Sequence, residues 1–353
     1  MTKGALLLTP SRGLGGGIER YVETVEWAFD ARGIKYQRLD LYRPANVGRA
    51  VAYARLLHDA RKYLRADEKP TRVIVAHRSL LPAALLLRRE GNVSGISVVC
   101  HGTEVWGDRA AWRKVTENRL IRNRGVRAIA VSSFTAGALI GNCPASVLSP
   151  GLTSDWFRTL VGASENCRKT QQGIHIVTAF RLDDYRGKGL PEIVRAIAML
   201  GRKDVRLTVC GSGDPSAELQ SLLQKYPFTD LYSRLSDAEL ARQFAVAHLF
   251  ILATRTRPGR DPSGEGFGLV LLEAQVAGTP VIGPASGGAY DAYIEQVTGM
   301  TPADESSEAL ATSINNVLED PSRLSEMGKR AAEWSRELFN PDSYASRVVE
   351  RLL

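Results

Sequence analysis

Residues 258–283 read PGRDPSGEGFGLVLLEAQVAGTPVIG. Two carboxylates, Glu265 and Glu273, stand on either side of a glycine-flanked helix start in this stretch. Gly266 and Gly268 let the backbone approach a ligand closely. The apolar run Leu269, Val270, Leu271, Leu272 predicts the first turns of a buried helix, ended by Gly278 and Pro280. Such a helix start carries free N–H groups and the positive end of a dipole, both suited to a phosphate. The spacing of the two glutamates corresponds to at most about 12 Å of helix rise, a separation at which two carboxylates can engage different hydroxyl groups of one extended ligand. Two solvated glutamates on an ordinary helix would be the plain reading of the spacing alone. The glycines and the following Gly-Thr-Pro-Val-Ile strand argue against it.

The chain has 353 residues, which predicts two domains of ordinary size. Its 44% hydrophobic and 24% charged residues are those of a globular protein in water. No apolar run is long enough to span a bilayer, and the N-terminal MTKGALLLTPSRG reads as a first strand and a Gly-rich turn, not a signal peptide. A cytoplasmic location is expected. Cys100, Cys143, Cys167 and Cys210 lack metal-ligand spacing and read as thiols of a reducing compartment. The net charge of +8 is unevenly placed: residues 1–158 hold 25 Lys and Arg against 13 Asp and Glu, residues 159–353 hold 21 against 25. The basic first half suggests an anionic partner there, such as a phospholipid surface, a polyprenyl-phosphate carrier or an acidic sugar. No recognition motif supports nucleic acid.

Strand-like runs at 5–9, 73–76, 96–100, 128–131 and 147–148 alternate with helical segments, beginning with 18–31, and predict a doubly wound α/β sheet. The non-periodic polar stretch 161–172 reads as an inter-domain linker. A second series follows: strands at 174–178, 206–210, 249–253 and 279–282, with helices at 190–200 and 217–224. A last helix is expected at 341–353, after the Phe339-Asn340-Pro341 break.

The E-G-F-G-L-V-L-L-E segment, with the A-x-x-x-G-x-P-V-I that follows, resembles the motif of the retaining glycosyltransferases of family 4. That resemblance implies the GT-B fold: two Rossmann-like doubly wound domains facing across a cleft. The acceptor-side domain would be 1–160, the NDP-sugar domain 173–338, with the last helix crossing back to the first. It implies transfer of a hexose from an NDP-sugar to a hydroxyl of a glycolipid, polysaccharide or glycoside precursor. The NDP-sugar is a co-substrate, and no cofactor or metal is expected, since the chain has no D-x-D and Asp183-Asp184 lacks the spacing. A sugar phosphorylase, or a sugar-nucleotide-binding protein without catalysis, is the alternative.

Arg181 and Lys188 lie in VTAFRLDDYRGKGL, where the family has an Arg and a Lys-Gly. Two fixed cations beside a departing diphosphate stabilise the transition state more than the ground state. By the same resemblance Glu273 holds the ribose, and Glu265 with Gly266, Phe267, Gly268 and Leu269 holds the sugar. Gly211, in the Gly-x-Gly turn after a strand, and Leu235 belong to the donor side. His101 opens the loop after ISVVC and lies near the reacting carbon, a strand end where doubly wound sheets bind ligands. Gly16 and Gly17, in the G-G-x-E-R loop, face the donor phosphates. Glu19, Arg20, His77 and Ser132 face the acceptor. The loop around Gly13 fails as a dinucleotide fingerprint, because Ile18 and Arg20 stand where glycines are needed. Ser149 and Leu152 depart from the family's usual residues. Segment 109–127 combines Trp112, Val115, Leu120 and Ile121 with seven basic residues. It reads either as a peripheral contact with the inner face of an anionic membrane or as an ordinary helix with a solvated basic face.

Overall fold

A computed structural model describes residues 4–10, 16–42, 47–66, 70–107, 111–167, 169, 172–257 and 263–353. The side chains of residues 111–114 are also outside the description. The chain divides into two compact units, and each holds one six-stranded sheet.

The first unit comprises the chain up to Thr153 together with Asp342–Leu353. Its strands are β1 (Gly4–Thr9), β2 (Tyr36–Asp40), β3 (Thr71–Val75), β4 (Val93–Cys100), β5 (Val126–Ala130) and β6 (Ala145–Val147). They pair in parallel in the order β2-β1-β3-β4-β5-β6. The inner strands read as unbroken apolar runs, LLL in β1 and VIV in β3, because a parallel sheet is covered on both faces. From β1 the chain goes first to one side and then to the other, so a crevice opens at the carboxyl ends of β1 and β3. The helix Pro341–Leu352 belongs to this unit. Its Tyr344 is buried against Gly151, where a Cβ would lie 2.6 Å from the ring. The Ser97 hydroxyl donates to the Leu352 carbonyl at 2.8 Å, and Arg32 meets Asp342 at 2.8 Å.

Segment 109–127 folds as the helix Ala111–Ile121 followed by a turn and β5. Ile121 is buried and Leu120 packs against the core of the unit, whereas Val115 is exposed. Two of the four apolar residues that suggested a membrane face therefore serve the core. Arg109 and the Trp112 side chain lie outside the described residues. No helix among the described residues is long and apolar enough to cross a membrane.

The second unit carries β7 (Ile174–Arg181), β8 (Val205–Ser212), β9 (Thr229–Ser233), β10 (Leu249–Ile251), β11 (Val281–Ile282) and β12 (Gly299–Met300). The order is β12-β11-β10-β7-β8-β9, again all parallel, with the reversal at β7 and β10. Helix Leu190–Met199 shows why these segments fold as they do. Its Leu190, Ile193, Val194 and Ile197 recur at helical spacing and are buried, packing with Leu310, Ile314 and Val317 of helix Ser307–Leu318. Helix Leu269–Val276 is buried on almost every side between helices Ser154–Asn166 and Pro321–Leu338, which is why its sequence is apolar apart from Glu273 and Gln275.

The linker expected at 161–172 is corrected here. Helix Ser154–Asn166 runs through Val161 to its end and belongs to the second unit, which begins at Ser154. Gly162, Ala163 and Ser164 looked non-periodic because they are small, not because they are loop. Ser164 Oγ lies 3.0 Å from where a Cβ on Gly278 would stand, so Gly278 has no room for a side chain there, whereas a Cβ on Gly162 would meet nothing within 4 Å.

Candidate active site

In the second unit, Lys188 Nζ donates to Glu265 Oε2 at 3.0 Å, and Thr254 Oγ1 donates to the same oxygen at 3.0 Å. Lys188 follows β7 and Thr254 follows β10, so the cluster sits at the carboxyl ends of the two strands where the sheet order reverses. That is where open α/β sheets bind ligands. Burial works against the charge on Lys188, but the Glu265 carboxylate and, more weakly, Asp184 outweigh it; the ammonium is held above its ordinary range, with Arg181 opposing. Lys188 is therefore a cation throughout neutral pH.

Arg181 closes β7, half exposed, with Asp183 Oδ1 3.5 Å from its Nε. Glu265 is fixed from its main chain as well: Gly288 N–H donates to its carbonyl at 2.7 Å. Gly268, at φ +79°, turns the chain into helix Leu269–Val276 and brings the helix's N-terminal N–H groups beside the Glu265 stem. Gly266 is half-buried in that turn, and Phe267 is buried against Phe339, with ring centroids 6.1 Å apart. Gly211 lies in β8 against Leu182, and Leu235 is half-buried in the loop after β9.

The structure brings Lys188 and Glu265 together. Glu273 is buried, and its Oε1 accepts from the Trp156 indole N–H at 3.1 Å. Trp156→Phe deletes that donor. We expect it to lower the stability of the second unit by about 1–2 kcal/mol, read as a lower urea midpoint at unchanged slope.

In the first unit, His101 and His77 follow β4 and β3 with rings 6.5 Å apart and nearly parallel. His101 Nε2 is 2.7 Å from the Ala76 carbonyl and so carries the proton. The Tyr21 ring meets His101 edge-on at 5.2 Å, and Glu104 accepts from the His101 main-chain N–H. His77 caps the turn Arg78–Leu80, its Nδ1 accepting from Ser79 N–H at 3.1 Å. Ser132 is buried and caps helix Ser133–Leu139 by accepting from Thr135 N–H at 3.2 Å. Gly16, at φ +105°, precedes helix Gly17–Ala31, whose first turn carries Glu19 and Arg20, both half-buried. Gly13 and the rest of 11–15 lie outside the described residues.

Burial pushes the His101 imidazolium below its ordinary pKa, aided by His77 and opposed by Glu104 and the Ala76 hydrogen bond. The unfolded chain then binds more protons than the folded one as pH falls through the ordinary imidazole range, so stability is present above that range and lost below it. Urea midpoints from pH 7.5 to 5.5 should fall less steeply in His101→Gln than in the wild type.

Residues 169–334 match the family described as Glycosyl transferases group 1. That match lies in the second half of the chain. The fold is GT-B: sucrose-phosphate synthase from Thermosynechococcus elongatus superposes with a TM-score of 0.78 at 19% identity over 98% of both chains. Anabaena HepE, solved in complex with UDP-glucose, superposes with a TM-score of 0.73 at 15% identity, again over 98% of both. A GDP-mannose-dependent alpha-(1-6)-phosphatidylinositol monomannoside mannosyltransferase of Mycobacterium tuberculosis is 27% identical over 96% of this chain and 94% of its own. A D-inositol 3-phosphate glycosyltransferase of Pseudarthrobacter chlorophenolicus is 28% identical over 64% of this chain and 56% of its own.

Sequence reasoning missed Thr254 and Trp156. Thr254 left a faint signal, a polar residue just past an apolar strand. Trp156 left none, since nothing local shows that an indole 117 positions away reaches Glu273.

Proposed function

We propose that the protein transfers a hexose from an NDP-sugar to an acceptor hydroxyl, with retention at the anomeric carbon and without a metal ion. The Lys188–Glu265 pair at the switch point carries this reading, because it sets a fixed cation and a hydroxyl-binding carboxylate side by side. GDP-mannose is the favoured donor and a phosphoinositide glycoside the favoured acceptor, since the relatives aligned over nearly the whole chain bear names of that chemistry.

In this reading Lys188 and Arg181 face the diphosphate and offset the charge it gains as the glycosidic bond lengthens. Glu265 Oε1 accepts from sugar hydroxyls, and the N–H groups from Phe267 to Leu269 complete the sugar subsite. Glu273 serves the ribose by exchanging the Trp156 indole for ribose hydroxyls. The acceptor oxygen bonds to the anomeric carbon on the face the diphosphate leaves, and the acceptor proton passes to the departing phosphate oxygen. Configuration is then retained with no covalent carboxylate intermediate. His101 contributes a neutral imidazole on the first unit.

The test is transfer from GDP-mannose, UDP-glucose and ADP-glucose to a phosphatidylinositol mannoside, followed by NMR of the new anomeric proton. An α-linked product whose rate is unchanged by EDTA is expected. A β-linked product, or loss of activity in EDTA, overturns retention or metal independence respectively. Binding of the preferred donor at about 100 times its Kd should add about 2.7 kcal/mol to stability.

A further inference from the structure

Two side chains hold one carboxylate oxygen. Lys188 and Thr254 both donate to Glu265 Oε2, each at 3.0 Å, while Oε1 has no partner among the described residues. The two holders differ in what a ligand does to them. Lys188 ends a flexible four-carbon stem, and a diphosphate carries more negative charge than a carboxylate, so a bound nucleotide draws the ammonium away. Thr254 is β-branched, stiff at χ1 and 3% exposed, so it stays in place.

The backbone around Thr254 is braced on both sides. Arg255 N–H donates to the Gly187 carbonyl at 2.8 Å, which ties the loop after β10 to the loop bearing Lys188. The Arg255 guanidinium donates to Glu192 Oε1 at 2.6 Å, and Thr256 N–H donates to Glu305 Oε1 at 2.7 Å. Thr254 thus stands on a rigid edge, and its hydroxyl fixes which way the carboxylate faces.

We propose that Thr254 is a positioning residue for Glu265, keeping Oε2 engaged and Oε1 turned toward the sugar hydroxyls when the diphosphate of the donor takes up Lys188. This rests on the sugar-nucleotide reading given above and assigns within it a residue that touches neither phosphate nor sugar. Its signature is selective: the sugar loses its partner's alignment, and the nucleotide does not.

The experiment compares Thr254→Val, which keeps the shape and removes the hydroxyl, with Thr254→Ser, which keeps the hydroxyl. GDP and UDP are titrated calorimetrically into each protein, and kcat and KM are measured with the matching sugar nucleotide. Thr254→Val should bind the diphosphate within about 2-fold of wild type while kcat/KM falls about 10- to 100-fold, the scale of one hydrogen bond to a charged group. Thr254→Ser should recover to within about 3-fold of wild type. A Thr254→Val protein that transfers at the wild-type rate overturns the proposal, as does one whose diphosphate affinity falls in step with its activity, or a Thr254→Ser no better than Thr254→Val. A wild type that binds neither diphosphate overturns the sugar-nucleotide reading itself, so the two failures are told apart.

Discussion

Lys188→Met is expected to lower kcat/KM for sugar transfer by about 100- to 1,000-fold, the usual consequence of removing one preorganised donor from a developing anion. The substitution fills similar volume and removes the ammonium, that is, its charge and its hydrogen bond to Glu265. It also leaves Glu265, whose side chain is 15% exposed, with Thr254 as its remaining side-chain partner. Loss of one member of a partly buried pair costs stability as well, so the variant should unfold at a lower urea concentration. The double variant Lys188→Met with Glu265→Gln separates the two effects. Neutralising the carboxylate should restore much of the lost stability and none of the transfer, and recovered transfer would show that the cation is not used on the diphosphate.

The pH dependence of this pair has a definite sign. Burial disfavours the ammonium, the Glu265 carboxylate more than compensates, and the folded pKa lies above the unfolded one. The pair's contribution is therefore complete below the ordinary lysine pKa and is lost only as pH rises through the folded value. Loss of activity on mild alkalinisation would have to come from another group.

Gly189→Ala is expected to cost about 3 kcal/mol or more, because it combines left-handed backbone strain with a collision against main chain. Gly189 has φ +75°, and a Cβ there would lie 2.0 Å from the Ala253 carbonyl oxygen. A backbone carbonyl in a braced loop cannot rotate aside, so the loops after β7 and β10 must part. Gly201 is the control: it has φ +63° and nothing within 4 Å of the added Cβ, so Gly201→Ala carries the strain alone, about 1–2 kcal/mol. Urea denaturation of the two variants gives the steric share by difference. Because Lys188 and Thr254 flank this contact, Gly189→Ala should also lose transfer activity at temperatures where it remains folded.

Much of the fold was legible because inner strands of a parallel sheet must be apolar on both faces. GALLLT, TRVIV and LFI stand out for that reason. Of the three strands that sequence reading passed over, β12 is only two residues long, while YQRLD in β2 and TDLYS in β9 are edge strands with half-exposed residues, and at an edge the apolar requirement lapses. The helix after Thr153 was hidden for a different reason: its second half, Gly162-Ala163-Ser164-Glu165-Asn166, carries no large apolar residue, so no apolar pattern marks it.

At the candidate site, sequence alone determined that a glycine-flanked carboxylate precedes a buried helix and that an Arg and a Lys follow the first strand of the second unit. These are local features, written in neighbouring residues whose type is constrained by their own backbone. Tertiary structure decided that Lys188 and Glu265, 77 positions apart, meet at 3.0 Å, that Thr254 shares the same oxygen, and that Glu273 accepts from the Trp156 indole. Such pairings depend on where the sheet reverses its order and how closely two loops approach, and both are properties of packing between segments, to which no single stretch of chain has access.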